Sequence, residues 1–517
     1  ASALVIGFSA LAARLDWNVQ PVRVEAVSRQ IVDPSTGVTR AEAVLDAHGL
    51  PRTRLVGVGE PIRARNLLNS DGVYWMLRTM VKNFMEFAPL GVILVTMLGV
   101  GVAERSGLIG ALLKAVMQVM PGRLLTPALV FLGVQSSMGA DAGYVVLPPI
   151  AALLFKSVGR SPLAGVAAVF SGIGAGFSAN LLITSLDPLL SALTQTGARV
   201  IAPGYEVNAA SNWWFMIAST VLLTLLGWAV TSWVIEPRLA PRPPGEGGPL
   251  PGGGAGLRPE RLSADESRAL GRSLAVFAAA LAVVLGLIFT PGSPIHGDGL
   301  PDSRSARWII AIVPIIFFLF LLPGIAYGRA LGTIHSGRDV ARLMSDSLAS
   351  TAPVMVLAFF AGQFIAYFKY SQLDQLLAYS LGKSLAGSGL SPLLLLAGFV
   401  VMVMVLNVLV SSASAKWALL APVFVPIFML LQVSPELTQA AYRVADSCTN
   451  IVTPLNPYLV LVLAACRTHA PSTGPGTILS LMVPYSLVFA VVWTLFLLAW
   501  SALGFDLGPG GGLRYQP

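Results

Sequence analysis

Residues 407–457 read NVLVSSASAKWALLAPVFVPIFMLLQVSPELTQAAYRVADSCTNIVTPLNP. The stretch is apolar enough for a bilayer, yet it carries Asn407, Ser411, Ser412, Ser414, Lys416, Trp417, Arg443, Asp446 and Asn450. Ionisable and amide groups cost several kcal/mol at bilayer depth unless they face a water-filled or ligand-filled cavity. The backbone pattern points the same way. Ser411-Ser412-Ala413-Ser414 stands where a continuous span would want leucines, and Thr453-Pro454-Leu455-Asn456-Pro457 interrupts any helix that enters it. Non-helical backbone survives in a membrane only where protein buries it or where it lines a cavity. The stretch therefore reads as half of a binding site.

The whole chain has the composition to match. Of its 517 residues 55% are hydrophobic and only 11% charged, against roughly 25% charged in soluble globular proteins. A polytopic membrane protein is expected, with the lipid bilayer as its first partner. The formal net charge of +8 comes largely from Arg and Lys in loops beside apolar spans, which orients a membrane protein and implies no nucleic acid. Cys448 and Cys466 supply neither a disulfide framework nor a metal spacing. His48, His296, His335 and His469 fall in predicted loops and are not expected to be ligands.

In chain order, the run ASALVIGFSALAA (1–13) is short for a span and reads as the truncated end of a first one rather than a cleaved signal. Residues 14–72 form a polar extracytoplasmic loop in which VRVEAVSRQIV alternates like a strand. A span is expected at about 83–105, followed by an interfacial helix in SGLIGALLKAVMQVMPGR. Residues 124–155 are two apolar arms, each too short to span, around the polar tip QSSMGADAG, the pattern of a re-entrant hairpin. A broken span at 162–187 carries GIGAGFSAN, and another span opens at Trp213-Trp214 and runs over 211–235. Residues 236–270 hold a cytoplasmic Pro/Gly-rich linker (236–262) with no capacity to bury a core. Connecting spans occupy 271–333, at about 271–290 and 307–326. Within 334–503 the expected elements are an interfacial segment, a span at 350–370, an interfacial helix in LDQLLAYSLGKSLAG, a second hairpin at 391–432, a broken segment at 436–465 and a last span at 478–503. A tail, 504–517, closes the chain.

This order repeats. MVKNFMEFAP from Met80 aligns without gaps on MSDSLASTAP from Met344. Ser136-Ser137 followed by DAGYVVLPP answers Ser411-Ser412 followed by KWALLAP, and Ser161-Pro162 answers Ser434-Pro435. Segments 73–235 and 334–503 thus read as two copies. With nine crossings they face opposite ways, and Arg105, Lys114, Arg123, Lys156, Arg160, Arg329, Arg338, Arg342 and Arg467 all fall inside. The expected fold is an all-α polytopic membrane protein: an inverted-repeat secondary transporter with nine transmembrane helices, two re-entrant hairpins and helices broken at mid-membrane.

Arg443, Asp446 and Asn450 lie at spacings of three and four and share one helix face. They read either as the polar lining of a substrate cavity, with Asp446 helping to bind a cation or proton, or as an internal Arg–Asp pair that neutralises buried charge. Asn407 and the serines Ser411, Ser412 and Ser414 offer oxygens that suit a sodium ion, with Asn407 and Asp446 as the metal candidates; the plain alternative is serine hydroxyls tying off the hairpin turn. Trp417 is placed to stack on an aromatic substrate or simply to pack. Lys416 pairs with an acidic substrate or snorkels to water. In the first copy Ser136, Ser137 and Asp141 mark the hairpin tip as ion-binding candidates, and Asn180 and Asp187 follow the glycine break. Asp187 also suits a helix cap. Pro435, at the head of the second broken helix, completes the substrate-binding set.

SASAKWALLAPVFVPIFMLL, SPELTQAAYRVADSCTNIVTPLNPY, DAGYVVLPP and GFSANLL resemble the AbgT family of bacterial transporters over about residues 70–503. The resemblance implies a homodimer of nine-span subunits with two hairpins in the bacterial inner membrane. It also implies uptake of p-aminobenzoyl-glutamate or efflux of antimetabolites such as sulfonamides, driven by a sodium or proton gradient. Asp187 is similar to a functional acid of the family, and the resemblance strengthens the stacking role of Trp417. No cofactor is expected beyond a coupling sodium ion. A dicarboxylate carrier of similar hairpin architecture is the alternative within transport; Trp417 and the SASAKW block favour the aromatic acid. A channel would need no gradient coupling. An intramembrane aspartyl protease would require Asp187 and Asp446 to share a proton, which Arg443 beside Asp446 opposes.

Overall fold

The computed structural model describes all residues except 1, 27, 33–38, 44–52, 88, 120–123, 140–141, 185, 250–261, 298–305, 351, 411, 454–455, 457 and 516–517. The first half contains α1 (Ser2–Arg14), α2 (Ser70–Met85), α3 (Pro89–Arg105), α4 (Leu108–Val119), α5 (Leu125–Gln135), α6 (Ala142–Ser157), α7 (Pro162–Phe170), α8 (Leu186–Ala198), α9 (Trp213–Val230) and the short α10 (Glu236–Leu239). The connecting region holds α11 (Ala264–Phe289), α12 (Arg307–Ile310) and α13 (Ile312–Ala330). The second half contains α14 (Gly337–Ser350), α15 (Ala352–Tyr370), α16 (Leu373–Ala386), α17 (Pro392–Leu409), α18 (Ala413–Leu430), α19 (Pro435–Thr449), α20 (Leu459–Arg467) and α21 (Pro475–Ala502).

A shared local code starts three of these helices: serine at the N-cap and proline at the first helical position, where the missing N–H costs nothing. Ser161 accepts from Ala164 N at 3.3 Å, Ser391 from Leu394 N at 3.3 Å and Ser434 from Leu437 N at 3.0 Å. The same code stands at the head of α7 and of α19, the two broken helices. α7 ends in a π-helical turn, Ser171–Ala175, and the chain then runs without helix to Leu186. α19 ends at Thr449, and helix resumes only at Leu459.

Five helices among the described residues are long and apolar enough to cross a membrane: Trp213–Leu239, Ala264–Phe289, Ile312–Ala330, Ala413–Leu430 and Pro475–Ala502. The other expected crossings are not among these five. The break positions differ in detail from expectation. The span expected at 83–105 is two helices, because Pro89 starts a new one and disfavours helix in the residue before it. The broken span expected to end near residue 187 continues as α8 to Ala198.

Two further expectations are corrected. The polar segment 14–72 departs from an all-α description. β1 (Asn18–Val19) pairs with β6 (Ile62–Arg63), β2 (Val22–Ala26) with β5 (Thr53–Gly57), and β3 (Ser28–Val32) with β4 (Thr39–Ala43), all antiparallel and nested in sequence. Most of VRVEAVSRQIV is thus in strand. The linker expected from 236 is docked at its start: Glu236 accepts from Arg160 Nε at 2.6 Å, Ser161 Oγ donates to the Gly247 carbonyl at 2.5 Å, and Leu239 is buried. Its residues 250–261 lie outside the described residues.

Segments distant in sequence meet at two ends of the molecule. Lys114 pairs with Glu266 at 3.8 Å and Arg105 Nη2 donates to the Asp346 carbonyl at 2.8 Å. Ser434 Oγ donates to the Gly512 carbonyl at 2.6 Å and Asn208 Nδ2 to that of Pro509 at 2.9 Å. The second halves of the broken helices cross over: α8 packs on α18 of the other copy, and α20 packs on α6.

Glycine makes one of these packings possible. α5 lies against the π-helical turn of α7 with backbones nearly touching. A Cβ on Gly133 would sit 2.5 Å from the Val169 carbonyl, and one on Gly172 would run into that of Val130. Gly172→Ala is therefore expected to lower the melting temperature of the detergent-solubilised protein, at an overpacking cost of roughly 1–3 kcal/mol. Gly271→Ala, on an exposed face of α11 with nothing within 4 Å of a new Cβ, should leave it unchanged or higher.

Candidate functional site

α19 is buried at every position from Pro435 to Cys448, although it carries Glu436, Gln439, Arg443, Asp446 and Ser447. A polar helix enclosed in protein must find partners for its side chains, because burying them unpaired costs several kcal/mol each. Its two central charges find them on different elements. Arg443 Nη1 pairs with Asp187 Oδ1 of α8 at 2.6 Å, and its Nη2 donates to the Ser178 carbonyl at 2.9 Å. Asp446 Oδ1 pairs with Lys416 Nζ of α18, also at 2.6 Å. All four side chains are at most 7% exposed. The internal Arg443–Asp446 pair expected from their spacing does not form.

The pair between Arg443 and Asp187 joins the first half of the chain to the second. Asp187 is fixed from behind, its Oδ2 accepting from Thr184 N at 2.6 Å and Thr184 Oγ1 at 2.8 Å. Asp187 thus closes a Thr-x-x-Asp capping arrangement at the head of α8, as its capping reading expects, and also holds the guanidinium. Ser178 N donates to Ser447 Oγ at 3.2 Å, so the broken segment after the π turn lies against α19. Arg443 Nε has no partner among the described residues.

One turn further along α19, Asn407 organises a second cluster. Its Nδ2 donates to the Asp446 carbonyl and to Thr449 Oγ1, both at 2.7 Å, and to Asn450 Oδ1 at 3.0 Å. Its Oδ1 accepts from Lys416 Nζ. The Lys416 ammonium thus stands between Asn407 Oδ1 and Asp446 Oδ1, where a sodium ion was expected. It does not snorkel to water; Lys416 is 2% exposed. The lysine supplies the positive charge that this oxygen cluster requires.

Trp417 is fully buried. It stacks on Tyr442 with ring centroids 4.4 Å apart and donates Nε1 to Thr194 Oγ1 at 2.9 Å. In this conformation its ring fills the α8–α18–α19 junction. Tyr442 in turn donates to the Ala413 carbonyl at the head of α18. Ser412 caps α18 by accepting from Ala415 N at 3.3 Å, and Ser412 Oγ and Ser414 Oγ lie 3.4 Å apart. The structure places these two serines at the turn and not with Asn407. Ser411 and Asp141 lie outside the described residues.

At the other tip, Ser136 Oγ bonds back to the Gly133 carbonyl at 2.7 Å, and Ser137 Oγ reaches Asn180 Oδ1 at 2.6 Å. Pro435 starts α19 two turns before Arg443, about 12 Å away at 1.5 Å per residue, and belongs to the helix start.

Four contributors were not singled out from the sequence: Thr184, Thr194, Tyr442 and Thr449. Thr184 carries a usable signal, the Thr-x-x-Asp spacing before a helix. Tyr442 stands four residues before Asp446 on the same face. Thr194 and Thr449 carry none, since a lone helical threonine more often bonds its own backbone.

The chain matches the AbgT transporter family over residues 30–515. It is 36% identical, over 471 residues and 90% of each chain, to the p-aminobenzoyl-glutamate transport protein of Escherichia coli strain K12. Among solved structures it is similar to the YdaH transporter of Alcanivorax borkumensis, with 38% identity, a TM-score of 0.83 and 98% of each chain covered. It is also similar to Neisseria gonorrhoeae MtrF, which represents a class of antimetabolite efflux pumps: 35% identity, a TM-score of 0.82, and 96% of this chain and 93% of that one covered.

Removing one partner of a buried ion pair strands the other and costs about 3–5 kcal/mol, whereas replacing both is close to neutral. Lys416→Met and Asp446→Asn are each expected to lower the melting temperature in detergent, with the double variant recovering most of the loss. Losses that simply add in the double variant would show that the pair does not form.

Proposed function

The chain belongs to the AbgT family of transporters, and from that premise we propose that it moves p-aminobenzoyl-glutamate, or related aromatic acids and antimetabolites such as sulfonamides, by secondary active transport. It is a multi-pass membrane transporter and not an enzyme. Asp187 and Asp446 each face a separate cation and so form no proton-sharing dyad of the kind an aspartyl protease needs. The proposal includes the nine crossings, the two re-entrant hairpins in inverted copies, the homodimer and the bacterial inner membrane.

The observation that carries the substrate reading is Arg443. It is 1% exposed, yet its Nε–H has no partner among the described residues while Nη1 and Nη2 are engaged. A substrate carboxylate arriving from the broken segment at Asn180 would meet an oriented guanidinium donor. Trp417 and Tyr442, beside it on α18 and α19, supply the aromatic surface when α8 and α18 part. The elements sort into two packed groups that allow such a movement. α5, α7, α8, α9, α17, α18, α19 and α21 surround the charges, while α3, α11, α13 and α14 pack on one another and α2 packs on α15. Alternating access would move the first group against the second.

Proton coupling follows from the same geometry. With Lys416 already on Asn407 and Asp446, a proton on Asp446 cancels the pair and releases the ammonium, while a sodium ion would have to displace it. The test is uptake of radiolabelled p-aminobenzoyl-glutamate into proteoliposomes under separately imposed proton and sodium gradients. The expected outcome is proton-driven uptake, reduced at least about tenfold in Asp446→Asn and Arg443→Gln, with a sodium gradient alone ineffective. Sodium-driven uptake would replace the proton route with a displaced lysine. Uptake under neither gradient would remove the substrate assignment.

A further inference from the structure

Away from the central charges, a cavity of about 330 Å³ opens between the end of α2, the end of α8, α15, the start of α16 and α18. Its volume lies at the lower end of the range for small-molecule sites. Phe87, Ile365, Phe368 and Pro422 give it apolar walls, and Arg199 and Lys369 stand at its rim. Of the two acids that line it, Glu86 lies 3.8 Å from Lys82, so the mouth carries surplus positive charge whenever Asp374 is neutral.

Two pairs of helices, each hydrogen-bonded in this conformation, bound it. On one side Asn83 Nδ2 donates to Gln363 Oε1 at 2.9 Å, and Gln363 Nε2 to the Met80 carbonyl at 2.8 Å, tying α2 to α15. On the other, the Trp417–Thr194 bond at 2.9 Å ties α18 to α8. The cavity therefore sits on the seam between the two groups proposed to move.

We propose that this cavity is a second, outer binding site for a small aromatic carboxylate, its acid group met by Arg199 and Lys369 and its ring by the apolar walls. The substrate class rests on the function proposed above.

Asp374 gives the site a pH dependence. It is 4% exposed, accepts from Gln375 N at 2.8 Å and forms no ion pair among the described residues. It lies in α16, the helix read as interfacial and outside the spanning segments. Burial pushes its carboxyl up to about 7, with Lys369 opposing. The other charged or titratable groups around it are Arg199 just past the end of α8, Glu86 with Lys82 at the end of α2, and Tyr379 on α16 itself with Tyr515 beyond it. Arg63 on β6 is held by Asp16, Lys383 on α16 donates to the Gln20 carbonyl, and α18 lines the cavity with an uncharged residue, Pro422. Below pH 7 Asp374 is neutral and the cations act unopposed; above it, a carboxylate faces the incoming one. Affinity at this site therefore falls as pH rises through about 7.

Equilibrium binding of radiolabelled p-aminobenzoyl-glutamate to nanodisc-embedded protein tests this. Two components are expected, one of them lost in the double variant Arg199→Gln/Lys369→Gln. That component should weaken roughly fivefold between pH 6 and pH 8, and in Asp374→Asn it should be pH-independent. A single component unchanged by either variant would overturn the outer site and leave the central one standing. Binding to no protein at all would fell the substrate class and this proposal together. An anionic lipid seen by native mass spectrometry and lost in the double variant, with acid binding intact, would assign the cavity to lipid instead.

Discussion

Everything in the centre of this protein depends on one constraint: α19 is polar and has no access to water. Each charge it carries has lost its hydration, and the Coulomb attraction of a partner restores that loss only where geometry is good. Arg443 and Asp446 meet this demand by reaching in different directions, to Asp187 on α8 and to Lys416 on α18. The consequence is architectural. α8 and α18 must both lie against α19, and they also lie against each other, joined where Trp417 reaches Thr194. A charged helix thus dictates the positions of two neighbours from different halves of the chain.

The broken backbone follows from the same demand. A continuous α7–α8 helix would carry Ser178 and Asp187 on fixed faces about 14 Å apart along the axis at 1.5 Å per residue. Interrupting it lets the Ser178 carbonyl and the Asp187 carboxylate converge on one guanidinium. Serine at the cap and proline at the first position restart helices cleanly, while the glycine-bearing π turn allows the close approach of α5. Breaks in a membrane helix leave backbone groups without partners. Here one of those groups is a binding group: the freed Ser178 carbonyl is one of the two acceptors that hold Arg443, the other being Asp187 Oδ1.

Local features of this architecture were legible in the sequence because their causes are local. The Ser161-Pro162 and Ser434-Pro435 starts, the polar tips and the glycine break each act over a few residues, and the repeat is visible because both copies need the same devices in the same order. Partner choice was not legible. Spacing puts Arg443 and Asp446 one turn apart and invites pairing, but helical neighbours are linked by flexible side chains at surface geometry. A side chain from another helix can approach end-on, and only packing reveals it. Lys416 misled for a related reason: two residues from a turn that contains Ser414, it reads as close to water, whereas the start of α18 is sunk against α19. The docked start of the 236–262 linker was hidden because proline-rich composition argues against a core and says nothing of adhesion to an existing one.

Two ion pairs placed one helical turn apart also set how the site can work. Neither pair is an efficient stabiliser, since apolar residues of the same volume would hold the helices about as well. In the proposed transport cycle their value lies in being exchangeable. A carboxylate arriving at Arg443 would offer the guanidinium an alternative to Asp187, and a proton arriving at Asp446 would remove the reason for Lys416 to stay. Each exchange would leave a different contact free to part, Arg443–Asp187 between α19 and α8 and Lys416–Asp446 between α19 and α18. Because both act through α19, the loss of one pair changes the cost of losing the other, and such a shared cost is a coupling free energy between ligand and ion. A fold that buried leucines at these four positions would keep α8, α18 and α19 together and would have no means of letting them go.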